Sequence, residues 1–177
     1  MKKVLILSGH RYPERSRICE AGGKALGTLP NVTVHNLMNA YPDFVVDVKR
    51  EQQLLKAHDV VVMMFPFWWY SSPAILKEWQ DQVLEYGFAY GSEGKALHGK
   101  PFMVMTSTGG NEVAYTPQGY NRYAVDDLLL PFRAMANLTG MIWQTPALIQ
   151  GANNISDNGI DRGVNHWLTR LDALLID

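Results

Sequence analysis

The stretch "DVVVMMFPFWWYSSPAILKEW", Asp59 to Trp79, passes from a continuous apolar run to an aromatic cluster and then into helical spacing. Its first part, through Pro66, has no polar alternation, so it reads as a strand covered on both faces, the situation of a parallel sheet. Pro66 ends the strand, Ser72 is the expected helix cap and Pro73 suits the first helical position, leaving Phe67, Trp68, Trp69 and Tyr70 displayed between them. A rigid aromatic wall of this kind suits stacking against a flat, partly apolar ligand, whereas Trp79, inside the helical segment, reads as core.

Working outward, similar short runs occur at "KVLILS", "VTVHNL", "PFMVMTS" and "MIWQTPALI", each bounded by Gly, Pro, Asn or Asp, which makes five strands in all. Helical spacing falls between and after them, at Ser16 to Leu26, Val48 to His58, Pro73 to Tyr86, Ala124 to Thr139 and Gly159 to Leu175. Strict alternation of strand and helix implies a parallel sheet with right-handed crossovers and helices on both sides, a doubly wound α/β sandwich. Pro131 is expected to kink the fourth helix. No internal repeat or linker divides the chain, so residues 1–177 are expected to form one domain.

Ligands of such sheets bind beyond the carboxyl ends of the strands, which directs attention to the loops after strands one, three and four. In the first, Ser16 is a plausible N-cap, and Arg11, Arg15 and Arg17 surround a helix start whose unpaired N–H groups favour an anion such as a phosphate monoester. No Gly-x-Gly-x-x-Gly is present, which argues against a dinucleotide pyrophosphate. In the last, Gly109 and Gly110 allow close approach of backbone to ligand, and the hydroxyls of Tyr115 and Tyr120 follow.

Other chemistries find little support. "GKALHGK", Gly94 to Lys100, imitates half of a P-loop, but Pro101 stands where a Ser or Thr should hold Mg²⁺, and a strand follows instead of a helix. The five histidines lack partners at ligand spacing, so metal binding is not expected, and no Gly-x-Ser-x-Gly elbow suggests a serine hydrolase. A formal net charge of -1 gives no field favouring nucleic acid. The single Cys19 cannot form an internal disulfide and no apolar run is long enough to span a bilayer, so a cytoplasmic chain is expected.

At these loops the sequence resembles the flavodoxin-like NAD(P)H:quinone oxidoreductases, and within them the short branch that includes the ancillary flavoproteins of bacterial glutathione-regulated potassium efflux systems. The resemblance is carried by His10 and Ser16, "NAYPDF", "REQQLLKAHDVVV", "FPFWWYSSPAILKEWQDQVL" with "GFAYG", "ALHGK" and "TSTGGNEVAY". It implies a three-layer sandwich with a five-stranded parallel sheet of order 2-1-3-4-5. It further implies that His10, Ser16, Arg17, Ile18 and Cys19 hold the phosphate and ribityl end of a flavin. Pro66, Phe67, Trp68 and Trp69 would lie against its ring, and Ser107, Thr108, Gly109 and Gly110 would meet its pyrimidine edge. Tyr115 takes the position of the tyrosine that stabilises the reduced ring; six residues on, where those enzymes have a histidine, this chain has Asn121, and Trp68 replaces a common Gln. The chain ends after its fifth helix, without the extra structure of FAD-holding relatives, so FMN is expected over FAD. NAD(P)H would be the co-substrate and a quinone the acceptor, turned over by a ping-pong route. The resemblance also implies a homodimer and, as a second reading, a regulatory subunit docked peripherally on a potassium efflux antiporter at the inner face of the membrane. A one-electron carrier of the flavodoxin kind is disfavoured, because those are markedly acidic and this chain is balanced.

Overall fold

All strands run parallel, as the unbroken apolar runs of the third and fourth require. The computed structural model describes residues 1–176. Strands β1 (Val4–Ser8), β2 (Val32–Asn36), β3 (Val60–Pro66), β4 (Pro101–Thr108), β5 (Ile142–Trp143) and β6 (Ala147–Gln150) form one sheet in the order β2-β1-β3-β4-β5, with β6 also beside β4. The expected fifth strand therefore exists in two pieces on the same edge of β4, one beside Pro101 and Phe102, the other beside Met105 to Thr108. The interruption has a simple cause. The N–H groups of Ile142 and Gln144 bond to the carbonyls of Lys100 and Phe102 at 2.9 and 2.8 Å, and the next residue in that register is Pro146, which has no N–H to give.

The helices are α1 (Ile18–Leu26), α2 (Leu37–Ala40), α3 (Val48–Ala57), α4 (Ala74–Val83), α5 (Val125–Leu128), α6 (Leu130–Leu138) and α7 (Asp157–Leu175). Successive side chains of a strand point to opposite faces, and the core divides accordingly. Leu5, Leu7, Val61, Met63, Phe65, Phe102 and Val104 pack with Leu55 of α3, Leu76 and Trp79 of α4, and Phe132 and Ala136 of α6. Val4, Ile6, Val62, Met64, Met103 and Met105 pack on the other face with Ile18 and Leu26 of α1 and Val164, Trp167 and Leu171 of α7. Close packing of α1 on α7 depends on Gly22: a Cβ there would lie 2.7 Å from the Trp167 ring.

Three local expectations are corrected. Pro131 breaks the fourth helix instead of kinking it, because it cannot donate a bond back to Asp127; α5 stops at Leu128 and α6 begins at Leu130, with Leu129 between them at φ -91° and ψ 3°. Ser72 does not cap α4, and Pro73 is itself the N-cap residue, in extended conformation at ψ 150°, so that the helix starts at Ala74. The same helix ends at Val83, short of Tyr86.

Candidate functional site

The carboxyl end of the sheet gathers the loops after β1, β3 and β4, together with a fourth segment, Gly151 to Ile155, that follows β6. The residue directly before α1 is Arg17 and not the expected Ser16, which stands one position earlier, extended at φ -79° and ψ 115°; its Oγ still makes a capping bond, accepting the N–H of Cys19 at 3.1 Å. Among the described residues the N–H groups of Arg17, Ile18 and Glu20 have no protein acceptor, so the first turn of α1 presents free donors. They border a cavity of about 310 Å³ whose wall includes His10, Arg15, Ser16, Arg17, Ile18 and Cys19, closed on the far side by Pro66, Ser107 and Asn153. The Arg17 guanidinium does not point freely at an anion. It donates to Asp157 Oδ1 at 2.7 Å and to the Ile155 carbonyl at 3.3 Å, bracing α1 against the start of α7.

His10 is fixed in one tautomer. Its Nδ1 accepts the Tyr12 N–H at 3.0 Å, so the neutral ring carries its proton on Nε2. Burial lowers its pKa, outweighing the raising effects of the Tyr12 bond and of Glu14, so the ring is a neutral donor at pH 7. Cys19 is buried, and burial pushes its thiol up to about 12 despite the Ser16 hydrogen bond, which leaves it an inert wall and not a nucleophile.

A second cavity of about 450 Å³ shares Pro66, Ser107, Ala152 and Asn153 with the first and adds Phe67, Trp68, Trp69 and Gly109. The two make one crevice, with helix donors at one end and aromatic walls at the other. The β3–β4 ladder extends into it, the Phe67 N–H bonding to the Ser107 carbonyl at 2.8 Å, and this buries Phe67. Of the aromatics expected on display, only Trp68, Trp69 and Tyr70 are exposed. Trp68 meets His10 edge-on at 5.0 Å, so the first and third loops touch. Gly109 is a cradle: a Cβ on it would come within 2.9 Å of the Asn153 side chain.

The remaining expected residues flank the crevice. Thr108 is buried and its hydroxyl donates to the Gly110 carbonyl at 2.8 Å, shaping the Gly-Gly turn, while a Cβ on Gly110 would meet the Tyr120 hydroxyl at 2.4 Å. Tyr115 lies edge-on to Phe67 at 6.2 Å, one residue layer from the slot. Its pKa is raised, first by burial and then by the charges of Tyr120 and Tyr70, so its hydroxyl keeps its proton. Ala152, Asn153 and Ile155 escaped the sequence reading, although Gly151, at φ 80°, marks the same kind of turn at a strand's carboxyl end.

Trp69 and Tyr70 occupy the two central positions of a tight turn closed in both directions by Trp68 and Ser71 at 3.1 Å, and both have positive φ, 48° and 61°. Turns of this hand ordinarily use Asn and Gly, because a Cβ makes the left-handed conformation costly. Trp69 is 92% exposed, so its side chain repays little of that cost. Trp69→Asn is therefore expected to raise stability by about 0.5–1 kcal/mol, a Tm gain of roughly 1–4 °C, as measured by thermal unfolding of the apo chain.

The donor set fits a phosphorylated, planar cofactor: free N–H groups, a hydroxyl and Arg15 for a phosphate, apolar and aromatic surface for a ring, and a glycine cradle at the ring's edge. Comparison with known proteins agrees. The family defined by a flavodoxin-like fold matches residues 2–171. The ancillary protein KefG of a glutathione-regulated potassium-efflux system from Cronobacter sakazakii is 44% identical over 171 residues, 94% of this chain and 92% of that protein. General stress protein 14 of Treponema denticola, crystallised in complex with FMN, superposes with a TM-score of 0.92 at 33% identity, over 97% of this chain and 99% of that one. An NADPH-quinone reductase from P. pentosaceus superposes with a TM-score of 0.85 at 30% identity, over 93% and 95%. With the β2-β1-β3-β4-β5 order and helices on both faces of the sheet, these likenesses mean that the chain belongs to the flavodoxin-like family.

Proposed function

We propose that the chain is an FMN-dependent NAD(P)H:quinone oxidoreductase. The observation that carries this reading is the continuous crevice with helix N–H donors at one end and the Pro66–Trp69 wall at the other. The first turn of α1, the Ser16 hydroxyl, Arg15 and the Nε2–H of His10 hold the phosphate and ribityl end, with Arg17 bracing the helix from the side. Bound FMN would supply the hydride-accepting and hydride-donating chemistry. The protein would supply orientation: Pro66, Phe67 and Trp68 would hold the ring, and the Ser107–Gly110 turn would offer it backbone groups. Tyr115, protonated at neutral pH, offers a hydroxyl toward negative charge developing at that edge. Nicotinamide and quinone use the same exposed face of the slot in turn, which makes the kinetics ping-pong. The exposed Trp69 and Tyr70 at its rim suit a second copy of the chain.

Purified protein should bind added FMN, show the flavin absorption bands and oxidise NAD(P)H with menadione as acceptor, giving parallel double-reciprocal lines. A colourless preparation that neither binds FMN nor turns over would remove the reading. Tyr115→Phe should slow reduction of the bound flavin by about 10-fold or more while FMN affinity changes less than about 3-fold, since a hydroxyl used only as charge develops does not contribute to ground-state binding. Equal losses in both would assign Tyr115 to binding.

A second reading is favoured by the 44% identity to KefG over nearly the whole chain. The chain would then also act as an ancillary subunit of a potassium efflux antiporter, with the crevice as its sensor. Among the described residues no helix is long and apolar enough to cross a membrane; in this role the chain would dock on the antiporter peripherally, at the inner face. Co-purification with the antiporter and a flavin-dependent change in potassium flux are the expected results; unchanged flux on addition of the protein would dismiss it.

A further inference from the structure

We infer that Tyr70 and Asn121 form a latch that positions the aromatic wall against the Tyr115 segment and so sets the width of the slot, an inference that rests on the reductase reading above. The Tyr70 hydroxyl donates to Asn121 Oδ1 at 3.0 Å, joining loops 51 residues apart in sequence. Asn121 is in turn fastened to the turn carrying Tyr115, its N–H bonding to the Ala114 carbonyl at 3.1 Å. On the other side Phe67 stands edge-on to both Tyr70 and Tyr115, at 6.5 and 6.2 Å, so the latch closes a ring of contacts around a residue that lines the slot.

Two further features give the latch its meaning. Trp69 and Tyr70 hold left-handed backbone conformations with no glycine to ease them, and a turn in that state persists only where its surroundings impose it. Tyr70 is the member of the pair with a partner. Moreover, the Asn121 amide nitrogen is buried without any acceptor. Were position 121 only a matter of packing, an apolar side chain would serve without that orphaned donor; the residue keeps it for the sake of its oxygen. Tyr70 and Asn121 are thus positioning residues, acting through Phe67 and the wall, not on the reacting atoms.

The test uses the full apo chain first. Chymotrypsin cleaves after aromatic residues, and the Trp68–Tyr70 turn offers three. Tyr70→Phe, which keeps a cleavable aromatic, and Asn121→Ala should each speed cleavage in this turn by about 3- to 10-fold, the effect of losing one net hydrogen bond. The double variant should be no faster than either single, because all three remove the same bond. In the FMN-loaded protein each single variant should lower kcat by about 10-fold with the FMN Kd within about 3-fold of the parent, as expected of a misplaced wall. Parental cleavage rates in both single variants, or effects that multiply in the double variant, would overturn the latch. Should the parent chain fail to bind FMN, the reductase reading falls while the cleavage experiment still decides the latch.

Discussion

Glu51→Ala is expected to lower the unfolding free energy by about 3–5 kcal/mol, the largest stability effect of any single substitution proposed for this chain. Glu51 is fully buried on α3, and its carboxylate accepts hydrogen bonds from His35 Nε2 at 2.8 Å, the Tyr41 hydroxyl at 2.5 Å and Trp79 Nε1 at 2.8 Å. Truncation would strand all three donors in a dry cavity, each an unpaired polar group costing about 1–3 kcal/mol. Glu51→Gln keeps the shape but turns an N–H toward donors, and should cost about half as much; Trp79→Phe removes a single donor and also leaves a cavity where the larger buried ring stood, and should cost about 2–3 kcal/mol. The pH dependence has a definite sign. Burial alone would raise the Glu51 pKa, but the bonds from His35, Tyr41 and Trp79 and the charge of His35 outweigh it, and the folded-state value lies below the ordinary one. Folding therefore favours the ionised form, and this stabilisation is whole above the unfolded carboxyl value, about 4.3, and is lost as pH falls through the lower folded value. Urea titrations of the parent and of Glu51→Gln should converge on that acid limb. An Ala variant within about 1 kcal/mol of the parent at pH 7 would show that the carboxylate does not organise these elements.

Because Trp79 belongs to α4, which begins just after the strained Trp69-Tyr70 turn, the same carboxylate that steadies the core also steadies one wall of the crevice. This dependence was invisible in the sequence for a physical reason. Val48 to His58 shows only helical spacing in the sequence, which singles out no role for Glu51, and the partners of its carboxylate arrive from 16, 10 and 28 residues away on other elements. What was legible was periodic or local: continuous apolar runs gave the buried strands, and the carboxyl-end rule located the loops of the crevice. What was not legible depended on backbone bonds between elements. Pro146 is harmless in a linear reading and divides the edge strand only because β4 lies beside it. Phe67 looked displayed with its neighbours until its N–H was committed to Ser107, which turns it inward. Arg17 looked like a free phosphate ligand until Asp157, at the start of α7, claimed it.

Ser16→Asp is expected to weaken FMN binding by about 100- to 1,000-fold while leaving the fold intact, and the contrast with riboflavin makes the experiment decisive. Asp is as good an N-cap as Ser, so its carboxylate can take over the Cys19 N–H and α1 should start where it does now, with Tm nearly unchanged. The new negative charge, however, lies where the helix donors and Arg15 would receive a phosphate. Two like charges about 4 Å apart at an effective dielectric of 20 repel by roughly 4 kcal/mol, near 1,000-fold in Kd, and water entering the open mouth would reduce this toward 100-fold. The Arg17 pairing with Asp157 sharpens the expectation, since it leaves fewer free cations to absorb the added charge. Riboflavin has the same ring and ribityl chain but no phosphate, so its Kd should change by less than about 3-fold, and the parent's preference for FMN should largely vanish. Quenching of flavin fluorescence reads both constants in one buffer. Equal losses for the two ligands would mean that the substitution had damaged the slot itself, and an undiminished FMN affinity would mean that the phosphate is bound somewhere other than the first turn of α1.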